Sequence, residues 1–437
     1  MSSLPNNILT QVQTYQESSL AYLQNYGCFV HTANTKFKDF QNLTANLGTT
    51  VTFDKPLRGT TVNSLVAQFQ PTVQRVQNLT VNQQISYSVD FSVQQFVYNV
   101  REYMEQIGKG AVEEIASVVE GNIALNAISG VVGTDPNSPN YGTPDSNSGP
   151  FRFYGDGVTP INSFAQLSQM LANFRNFGAP RGNCKVYLPD IVVPQIVNNG
   201  LNQFVMDRNE EMAHSWMVGN WMGVDYYQSN LLPIHTAGNV GNNNTTLTLV
   251  STNDPTGNNI TQLTFSNATP NDINAIFYGD LFQFQDGVAG QPNLRFLTFV
   301  GHIPCAQPVQ FRATAAAKAD GSGNVVVNIN PALCWVNGNQ NQNLNNQLVA
   351  GMQVKVLPSH LAGLITSGNA LYLAMPTLPE EVPYPTGNKS DEDTGVSMRM
   401  YYGSLFGQNQ RGMVHDGIWG STLVSEYSMR VAFPLIQ

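Results

Sequence analysis

Residues 92–129, "SVQQFVYNVREYMEQIGKGAVEEIASVVEGNIALNAIS", carry the strongest local structural signal in the chain. Apolar side chains recur here at helical spacing, which predicts one long amphipathic helix. The apolar positions are Val93, Phe96, Val100, Met104, Ile107, Ala111, Ile115 and Val118. Ser92 and Gln95 have the spacing of a capping box at its start, and Ser129 with Gly130 ends it. At 1.5 Å per residue such a helix is about 50 Å long, which predicts a structural spine.

The "GKG" at residues 108–110 interrupts this pattern. Each glycine in a helix interior costs about 1 kcal/mol relative to alanine. Gly108 and Gly110 therefore indicate either a point where the helix bends or a place where it packs closely against a neighbour. The sequence favours neither explanation over the other.

Upstream of the helix, two segments have different sequence patterns. Residues 1–48 predict a short amphipathic helix followed by an extended arm, which needs a partner in the same chain or another. Residues 49–91 are rich in Val, Thr, Phe and Tyr, as in "TTVTFD" and "QQISYSVD", and are interrupted by Pro and Gly. This pattern predicts a long β-hairpin that projects from a body.

Downstream of the helix, the pattern predicts an α+β body. Ser163 and Gln166 form a second capping box, followed by a helix that Gly178 and Pro180 end. The stretch "KVYLP" predicts a short buried strand.

From Gly238 the sequence pattern changes to short strands separated by Asn, Gly, Asp and Pro. These strands, "TTLTLVS", "ITQLTF", "DLFQFQ", "RFLTFVG", "VQFRAT" and "NVVVNI", predict a small antiparallel barrel inserted into the body.

The composition restricts the class of protein. Charged residues make up 11% of the 437 residues and hydrophobic residues 42%, whereas an ordinary soluble domain has roughly 25% charged residues. Such a chain suits a surface covered by copies of itself, because interface cores are depleted in charge. An extracellular β protein is the alternative. The net charge of -9 and the lack of a basic run argue against a dedicated nucleic-acid-binding site.

Targeting and cysteine patterns add to these limits. The sequence contains neither a signal-peptide pattern nor an apolar run long enough to span a membrane. The four cysteines are far apart in sequence, which predicts reduced, mostly buried thiols. They are Cys28, Cys184, Cys305 and Cys334.

Candidate chemical groups do not assemble into a recognisable catalytic motif. No two of the six histidines have the i, i+4 spacing of a helical metal pair. His415 and Asp416 are adjacent, and adjacent residues on a strand point to opposite faces. "SDEDTG" at 390–395 lacks the ligand spacing of a calcium loop and predicts a solvated turn. We therefore expect neither an enzyme nor a metal or cofactor site.

The stretch "GNWMGVDYYQSNLLPIHTAG" at 219–238 resembles the Gly-x-x-x-Gly-Val…Ser…Leu-Pro segment of tailed-phage major capsid proteins of the Hong Kong 97-like fold. The order of the predicted parts resembles that fold from end to end. The inserted barrel is similar to that of the coat proteins of short-tailed Salmonella phages, in the layout of "FLTFVGHIPCAQPVQFRATAAAKADGSGNVVVNINPA". The ending "DGIWGSTLVSEYSMRVAF" resembles the closing strand pair of that family.

This resemblance implies an α+β Hong Kong 97-like capsid fold with five parts. They are an N-terminal arm (1–48), an extended hairpin loop (49–91), the spine helix with the first part of the peripheral and axial domains (92–237), an inserted β-barrel (238–356) and a return segment (357–437). Within the opening stretch, Trp221, Tyr226 and Tyr227 are expected to pack the body where the barrel departs, with His235 in the connection.

The implied function is self-assembly into an icosahedral head of hexamers and pentamers that encloses double-stranded DNA without sequence-specific binding. The implied location is the virion, with assembly in the host bacterial cytoplasm and without a membrane. The chain begins at the arm, so a separate scaffolding protein is expected, with a portal protein and, optionally, decoration proteins as further partners. A net acidic subunit keeps the inner wall from gripping the DNA.

The resemblance also implies roles for individual residues. Lys55 and Arg58, with Arg75 in the same hairpin, are expected to meet acids on an adjacent subunit, and a solvated hairpin tip is the alternative. Asp254, in the short loop 252–259, is a candidate for a reduced version of a contact between capsomers. Gly108 and Gly110 are expected to let the spine helix bend in a precursor shell and straighten on expansion. A crosslink between Lys55 and an asparagine, as some members of the fold make, is a further alternative.

Two other classes remain as alternatives. An encapsulin-type compartment shell shares the fold, but the added barrel and the chain length argue against it. A secreted carbohydrate-binding or glycan-cleaving β protein would account for the abundant Asn and aromatic residues. The long helix and the missing signal sequence argue against that class.

Overall fold

A computed structural model describes most of the chain. The described residues are 27–35, 50–55, 74–132, 143–145, 148–180, 182–198, 217–298, 301–379, 386–390, 396–404 and 410–435. The helices are α1 Cys28–Thr32, α2 Val93–Ser129, α3 Phe164–Asn176, α4 Val193–Asn198 and α5 Asn239–Asn242, and a 3₁₀ turn spans Ser425–Tyr427. The strands are β1 Thr50–Asp54, β2 Val76–Thr80, β3 Gln83–Ser92, β4 Val131–Val132, β5 Thr143–Pro144, β6 Phe153–Tyr154, β7 Cys184–Pro189, β8 Met217–Trp221, β9 Val224–Ser229, β10 Ile234–His235, β11 Thr246–Thr252, β12 Ile260–Ser266, β13 Leu281–Phe284, β14 Arg295–Leu297, β15 Pro304–Pro308, β16 Gln310–Ala313, β17 Val325–Leu333, β18 Gln353–Val356, β19 His360–Thr366, β20 Leu371–Ala374, β21 Thr386–Ser390, β22 Ser397–Ser404, β23 Gln410–Leu423 and β24 Ser428–Phe433.

The long helix predicted from the sequence is present as α2. It runs for 37 residues, begins directly after Ser92 and ends at Ser129, where Gly130 takes a φ of 68°. Ala111 and Ile115 of the predicted apolar face are buried, and α2 contacts β23 and β3. Burying a side chain of the size of Ile115 stabilises the fold by about 1.5–3 kcal/mol, so packing holds this helix more than its intrinsic propensity does.

Two sheets form the body. One has seven strands in the order β6-β24-β19-β7-β9-β8, with β10 paired to β19. Its helix α3 begins as predicted, because the Ser163 hydroxyl accepts from the Gln166 N–H at 3.3 Å and Gln166 Oε1 accepts from the Ser163 N–H at 3.2 Å. The other sheet has the order β20-β23-β22-β21, with β3 paired to β23.

The hairpin differs from the prediction in its second half. Strands β1 and β2 pair antiparallel, and the Lys55 N–H donates to the Arg75 carbonyl at 2.8 Å. Strand β3, predicted as part of the same hairpin, pairs instead with β23 along its whole length, from Gln83 opposite Trp419 to Ser92 opposite Gln410. Alternation identified β3 as a strand but carried no information about a partner more than 300 positions away in sequence. The predicted strand at 65–70 lies outside the described residues.

The inserted barrel is closed by six strands in the order β11-β12-β17-β16-β13-β18. Its interior is apolar, with Phe265, Phe282 and Phe311 stacked at centroid distances of 4.9 to 6.2 Å. Five of the six predicted strands form its wall. The prediction that 295–301 is a wall strand was wrong, because β14 pairs with β15 outside the barrel. The sixth wall strand is β18, which lies within the predicted barrel bounds of 238–356 but was not among the six predicted strands.

The strand that lies outside the barrel fills the space beneath it. Phe296 packs edge-to-face against Phe151 at 5.7 Å and Phe177 at 5.7 Å, between the barrel and the body. Its apolar residues therefore reflect burial between two layers of the molecule. A short apolar run buried in this way is not distinguished by its sequence from a strand of a barrel wall.

Candidate functional site

The barrel meets the body along strand β16, "QFRA" at 310–313, which is buried on both faces. Successive side chains on a strand point to opposite sides. Phe311 packs in the barrel interior, while Gln310 and Arg312 contact the body. This strand and the groups around it form a junction that sets the position of the barrel, and we treat it as the candidate functional site.

The Gln310 carboxamide binds both the N–H and the carbonyl of one body residue, as the backbone of a neighbouring strand does. Its Oε1 accepts from the Phe153 N–H at 2.9 Å, and its Nε2 donates to the Phe153 carbonyl at 3.1 Å. The same amide nitrogen donates to Gln283 Oε1 at 2.9 Å. One carboxamide therefore satisfies both backbone groups of Phe153, which would otherwise be buried without partners.

Two arginines bind the C-terminal end of the long helix α2. Arg430, from β24, donates to the Ile128 carbonyl at 2.6 Å, and Arg312, from the barrel, donates to the Ser129 carbonyl at 3.5 Å. The last carbonyls of a helix lack partners within the helix, and positive charge is favourable there. Burial lowers the pKa of Arg430 to about 9 and also lowers the pKa of Arg312.

Glycines leave room for the Arg312 guanidinium. A Cβ on Gly130 or on Gly149 would collide with Arg312 Nη1, and both residues have positive φ angles, of 68° and 88°. The end of α2, the loop that carries Gly149 and the barrel are thus fitted to one cationic side chain. A larger residue at either position would displace the barrel strand from the helix.

A buried acid holds the connection into the barrel. Asp280 Oδ1 lies 2.9 Å from His235 Nε2, and Oδ2 accepts from the N–H groups of Phe277 at 2.8 Å and Gly238 at 3.1 Å. Burial raises the pKa of Asp280 to about 7. Burial, followed by the charges of Arg430 and Arg312, lowers the pKa of His235 well below its usual value. His235 is 5% exposed and Asp280 is fully buried, so the pair is closed to solvent and fixes the chain where it enters the barrel.

Among the predicted contact residues, the structure brings Lys55 and Arg75 together. Both reach Glu426 of the same chain, with Arg75 Nη1 at 3.0 Å and Lys55 Nζ at 3.8 Å. Beside them, a cavity of about 230 Å³ is lined by barrel asparagines and by Phe151, Phe177 and Phe296. Contacts of Lys55 and Arg75 with a neighbouring subunit stay a prediction, and Arg58 lies outside the described residues.

Asp254 is engaged by its own loop. Its carboxylate accepts from the Thr256 hydroxyl at 2.5 Å and from the N–H groups of Thr256, Asn258 and Asn259 at 2.9 to 3.0 Å. These bonds, led by the Thr256 hydroxyl, lower the pKa of Asp254 to about 2. The loop closes over Trp335, whose ring a Cβ on Gly257 would strike. A contact of Asp254 between capsomers stays a prediction.

The two glycines of the long helix lie within its continuous α-helical span. Among the residues that the structure describes, a Cβ added at Gly110 would meet nothing within 4 Å. Close packing against the described part of the chain therefore does not explain Gly110. The bend at Gly108 and Gly110 stays a prediction.

Of the histidine and carboxylate candidates in the return segment, Asp416 has a partner on the neighbouring strand. Asp416 forms an ion pair with Arg399 across the strand pair, with the Arg399 Nε 2.9 Å from Asp416 Oδ1. Among the described residues, no group of three His, Cys, Asp or Glu side chains could hold a metal ion. Within the same residues, no helix combines the length and apolar character needed to cross a membrane. Residues 391–395 of the acidic turn lie outside the description.

The aromatic residues of 219–238 pack in the body, as predicted. Tyr226 is fully buried, Tyr227 stacks on Tyr187 at 5.7 Å, and Trp221 packs edge-to-face on Phe164 at 5.1 Å. His235 lies in β10, directly before the barrel. The prediction of buried thiols is also confirmed, since all four cysteines are free and buried.

Sequence reasoning missed the residues that build the junction. In "VQFRAT" the polar Gln310 and Arg312 alternate with apolar residues, which is the pattern of a strand with one solvated face. Arg430 gave a signal that could have been used, because it is a cation in the middle of the otherwise apolar strand "SMRVAF". A charge in such a strand needs a buried partner, here the end of a helix.

Comparison with known proteins gives matches in structure alone. No family model matches the sequence, and no curated protein matches it. The chain is similar to the capsid of cyanophage P-SCSP1u, with 12% identity, a TM-score of 0.40, and coverage of 92% of this chain and 86% of that chain. It is similar to the capsid of Ralstonia phage GP4, with 8% identity, a TM-score of 0.42, and coverage of 90% and 86%. It is also similar to the capsid of the native GTA particle, with 8% identity, a TM-score of 0.41, and coverage of 95% and 91%.

Proposed function

We propose that this chain is the major capsid (coat) protein of a tailed phage, with a Hong Kong 97-like fold. Copies assemble as hexamers and pentamers into an icosahedral head that encloses double-stranded DNA. The observation that carries the proposal is the closed six-stranded barrel inserted into a body that is built on a 37-residue helix. That combination is the feature by which the sequence resembles the coat proteins of short-tailed phages.

The way the barrel is inserted supports this proposal. The chain enters through β10 and leaves through β19, and these two strands pair, with Ile234 opposite Leu361 and His235 opposite His360. Beyond them, Ser359 Oγ accepts from the Ala237 N–H at 2.9 Å and donates to Asn242 Oδ1 at 2.9 Å. Paired connections let a barrel be added to a body without breaking the sheet that receives it.

The other segments of the chain are assigned to parts of this capsid fold by their order in the sequence. Residues 1–48 correspond to the N-terminal arm, and 49–91 contain the hairpin loop, with its base at β1 and β2, followed by β3, which pairs with β23. Residues 92–237 and 357–437 form the spine helix and the peripheral and axial domains, around the barrel at 238–356. The charged fraction of 11% suits a subunit covered by its neighbours.

The partners follow from this role. We infer a precursor shell that forms in the host cytoplasm on a separate scaffolding protein, expands when DNA is packaged, and carries a portal protein. Arg58 and Asp254 are then candidate contacts between subunits, together with Lys55 and Arg75. The net charge of -9 limits non-specific adhesion of DNA to the inner wall.

The bend at Gly108 and Gly110 belongs to the expansion step. Replacing both residues with alanine stabilises the helical conformation by about 1 kcal/mol at each position, which opposes a bend. We expect the double variant to form precursor shells poorly or to expand at altered temperature. Precursor assembly and expansion that both match the wild type would contradict the bend.

Negative-stain electron microscopy tests the proposed function. The chain is expressed alone and together with the scaffold candidate encoded beside it. Closed shells, or aberrant spirals and tubes in the absence of the partner, support a capsid subunit. A uniform monomer in both preparations, at high protein concentration, overturns the proposal. Co-purified enzyme cargo within shells would indicate an encapsulin-type compartment instead.

A further inference from the structure

Residues 27–35 lie on the body as a short strap that includes helix α1. Cys28, Phe29 and Val30 are buried in the same apolar cluster as the inner face of the long helix α2. The ring of Phe29 stacks on Tyr187 with centroids 4.3 Å apart. The strap connects the first 26 residues of the chain to the rest of the molecule.

One acid on the long helix binds the start of the strap. Glu120 is 1% exposed, and its two carboxylate oxygens accept from the N–H groups of Phe29 at 2.7 Å and Val30 at 3.0 Å. The Cys28 thiol also faces this carboxylate. A Cβ on Gly27 would collide with the same carboxylate, so the strap fits Glu120 closely.

The far end of the strap is bound by other groups. Lys185 Nζ donates to the Thr32 carbonyl at 2.7 Å, and the Thr32 hydroxyl lies 2.7 Å from the Tyr187 hydroxyl. Asn34 pairs with β20, with its N–H donating to the Leu371 carbonyl at 2.8 Å. The two ends are therefore hydrogen-bonded by different groups, and Glu120 binds the end nearest the N-terminus.

The electrostatics make Glu120 the weak point of this attachment. Among the described residues, Glu120 forms no ion pair with Lys, Arg or His. Burial raises the pKa of Glu120, and the N–H groups of Phe29 and Val30 oppose that shift. A buried carboxyl group without a counter-charge depends on its hydrogen bonds, so the loss of these bonds has a large effect on the attachment.

We propose that Glu120 is a releasable anchor for residues 27–35. While its carboxylate binds the strap, residues 27–35 are held against the long helix. When those two hydrogen bonds are lost, the strap detaches and the body stays folded. This inference stands on the contacts of the strap and goes beyond the proposed function, since it holds for the unassembled chain.

Hydrogen exchange on the full, unassembled chain tests the anchor with an isosteric variant. Glu120→Gln replaces one acceptor oxygen with an NH₂ group, which faces a backbone N–H and cannot accept from it. A buried donor left without its partner loses enough stability to speed local opening by roughly tenfold or more. We expect that increase at the amides of Phe29 and Val30, and new chymotrypsin cleavage after Phe29. The amides of α2 from Ala111 to Ala116 should stay protected.

Two further variants make the test decisive. Glu114→Gln removes the same charge from an exposed position of the same helix, and should leave the strap as in the wild type. Gly27→Ala places a methyl group against the Glu120 carboxylate and leaves the sequence of the long helix unchanged. This variant therefore tests the anchor if Glu120→Gln does not fold. Wild-type protection of Phe29 and Val30 in the anchor variant overturns the proposal. Protection lost throughout α2 also overturns it, because Glu120 would then hold the core. Neither outcome depends on whether the chain forms shells.

Discussion

The barrel interior and the junction beneath it share one strand but follow different physical rules. In β16, Phe311 faces a stack of aromatic rings, while Gln310 and Arg312 on either side of it face hydrogen-bond partners in the body. The interior gains free energy in proportion to the apolar area removed from water. The junction gains little from each hydrogen bond but would lose much if one were left unmade. The two regions should therefore respond to different substitutions.

The largest effect is expected in the barrel interior. Phe311→Ala removes a fully buried ring that stacks on Phe282 at 4.9 Å, and we expect a loss of about 3–5 kcal/mol in the free energy of unfolding. Urea unfolding followed by circular dichroism measures it. Val326→Ala, at a position of the barrel wall that is 47% exposed, is the control and should change stability by less than about 0.5 kcal/mol. Similar values for both variants would contradict an area-driven interior.

A smaller loss is expected at the junction. Gln310→Ala leaves the N–H and the carbonyl of Phe153 buried without their partner, at a cost of about 2–3 kcal/mol. Gln262→Ala is the matched control, because Gln262 donates to Asn328 at 3.0 Å on the exposed barrel wall. If the two glutamine variants unfold at the same urea concentration, the junction does not depend on satisfying Phe153.

The same division decides what could be predicted from the sequence. The period of apolar residues located α2 and five barrel strands because their burial depends on their own face. It did not reveal that β18 closes the barrel or that β3 pairs with β23, since pairing depends on residues far away in sequence. Nor could it reveal the junction, where Arg312 is buried because two distant parts of the chain supply the end of α2 and the space at Gly149.

The pH dependence separates the two regions further, because the stacked barrel interior is aromatic whereas the junction contains Asp280. The pKa of this acid rises from 3.8 to about 7 in the fold, so the folded chain retains a proton that the unfolded chain releases. Its stabilising contribution is therefore full below pH 3.8 and is lost as the pH rises through about 7. We expect the stability of the wild type relative to the D280N variant to fall as the pH rises from 3.8 to about 7.

Comparing these two proteins removes an opposing contribution. Burial lowers the pKa of His235 and His360 from 6.5, so their contribution is present above pH 6.5 and is lost as the pH falls. Both proteins contain these histidines, so the difference between their urea midpoints reports Asp280 together with its coupling to His235. A difference that is constant across the pH range would show that Asp280 is ionised throughout.

The smallest effect on unfolding is expected at Asp254, which belongs to neither region. Its hydrogen bonds close an exposed loop, and with a pKa of about 2 they should persist until the pH falls from 3.8 through that value. Asp254→Asn replaces one acceptor oxygen with a donor, so the Asn258 and Asn259 amides should exchange faster while the barrel unfolds as in the wild type. If exchange at these amides is unchanged and shell formation falls, Asp254 acts between subunits. Faster exchange with normal shells would mean that the carboxylate serves its own loop, and the contact between capsomers must come from other residues.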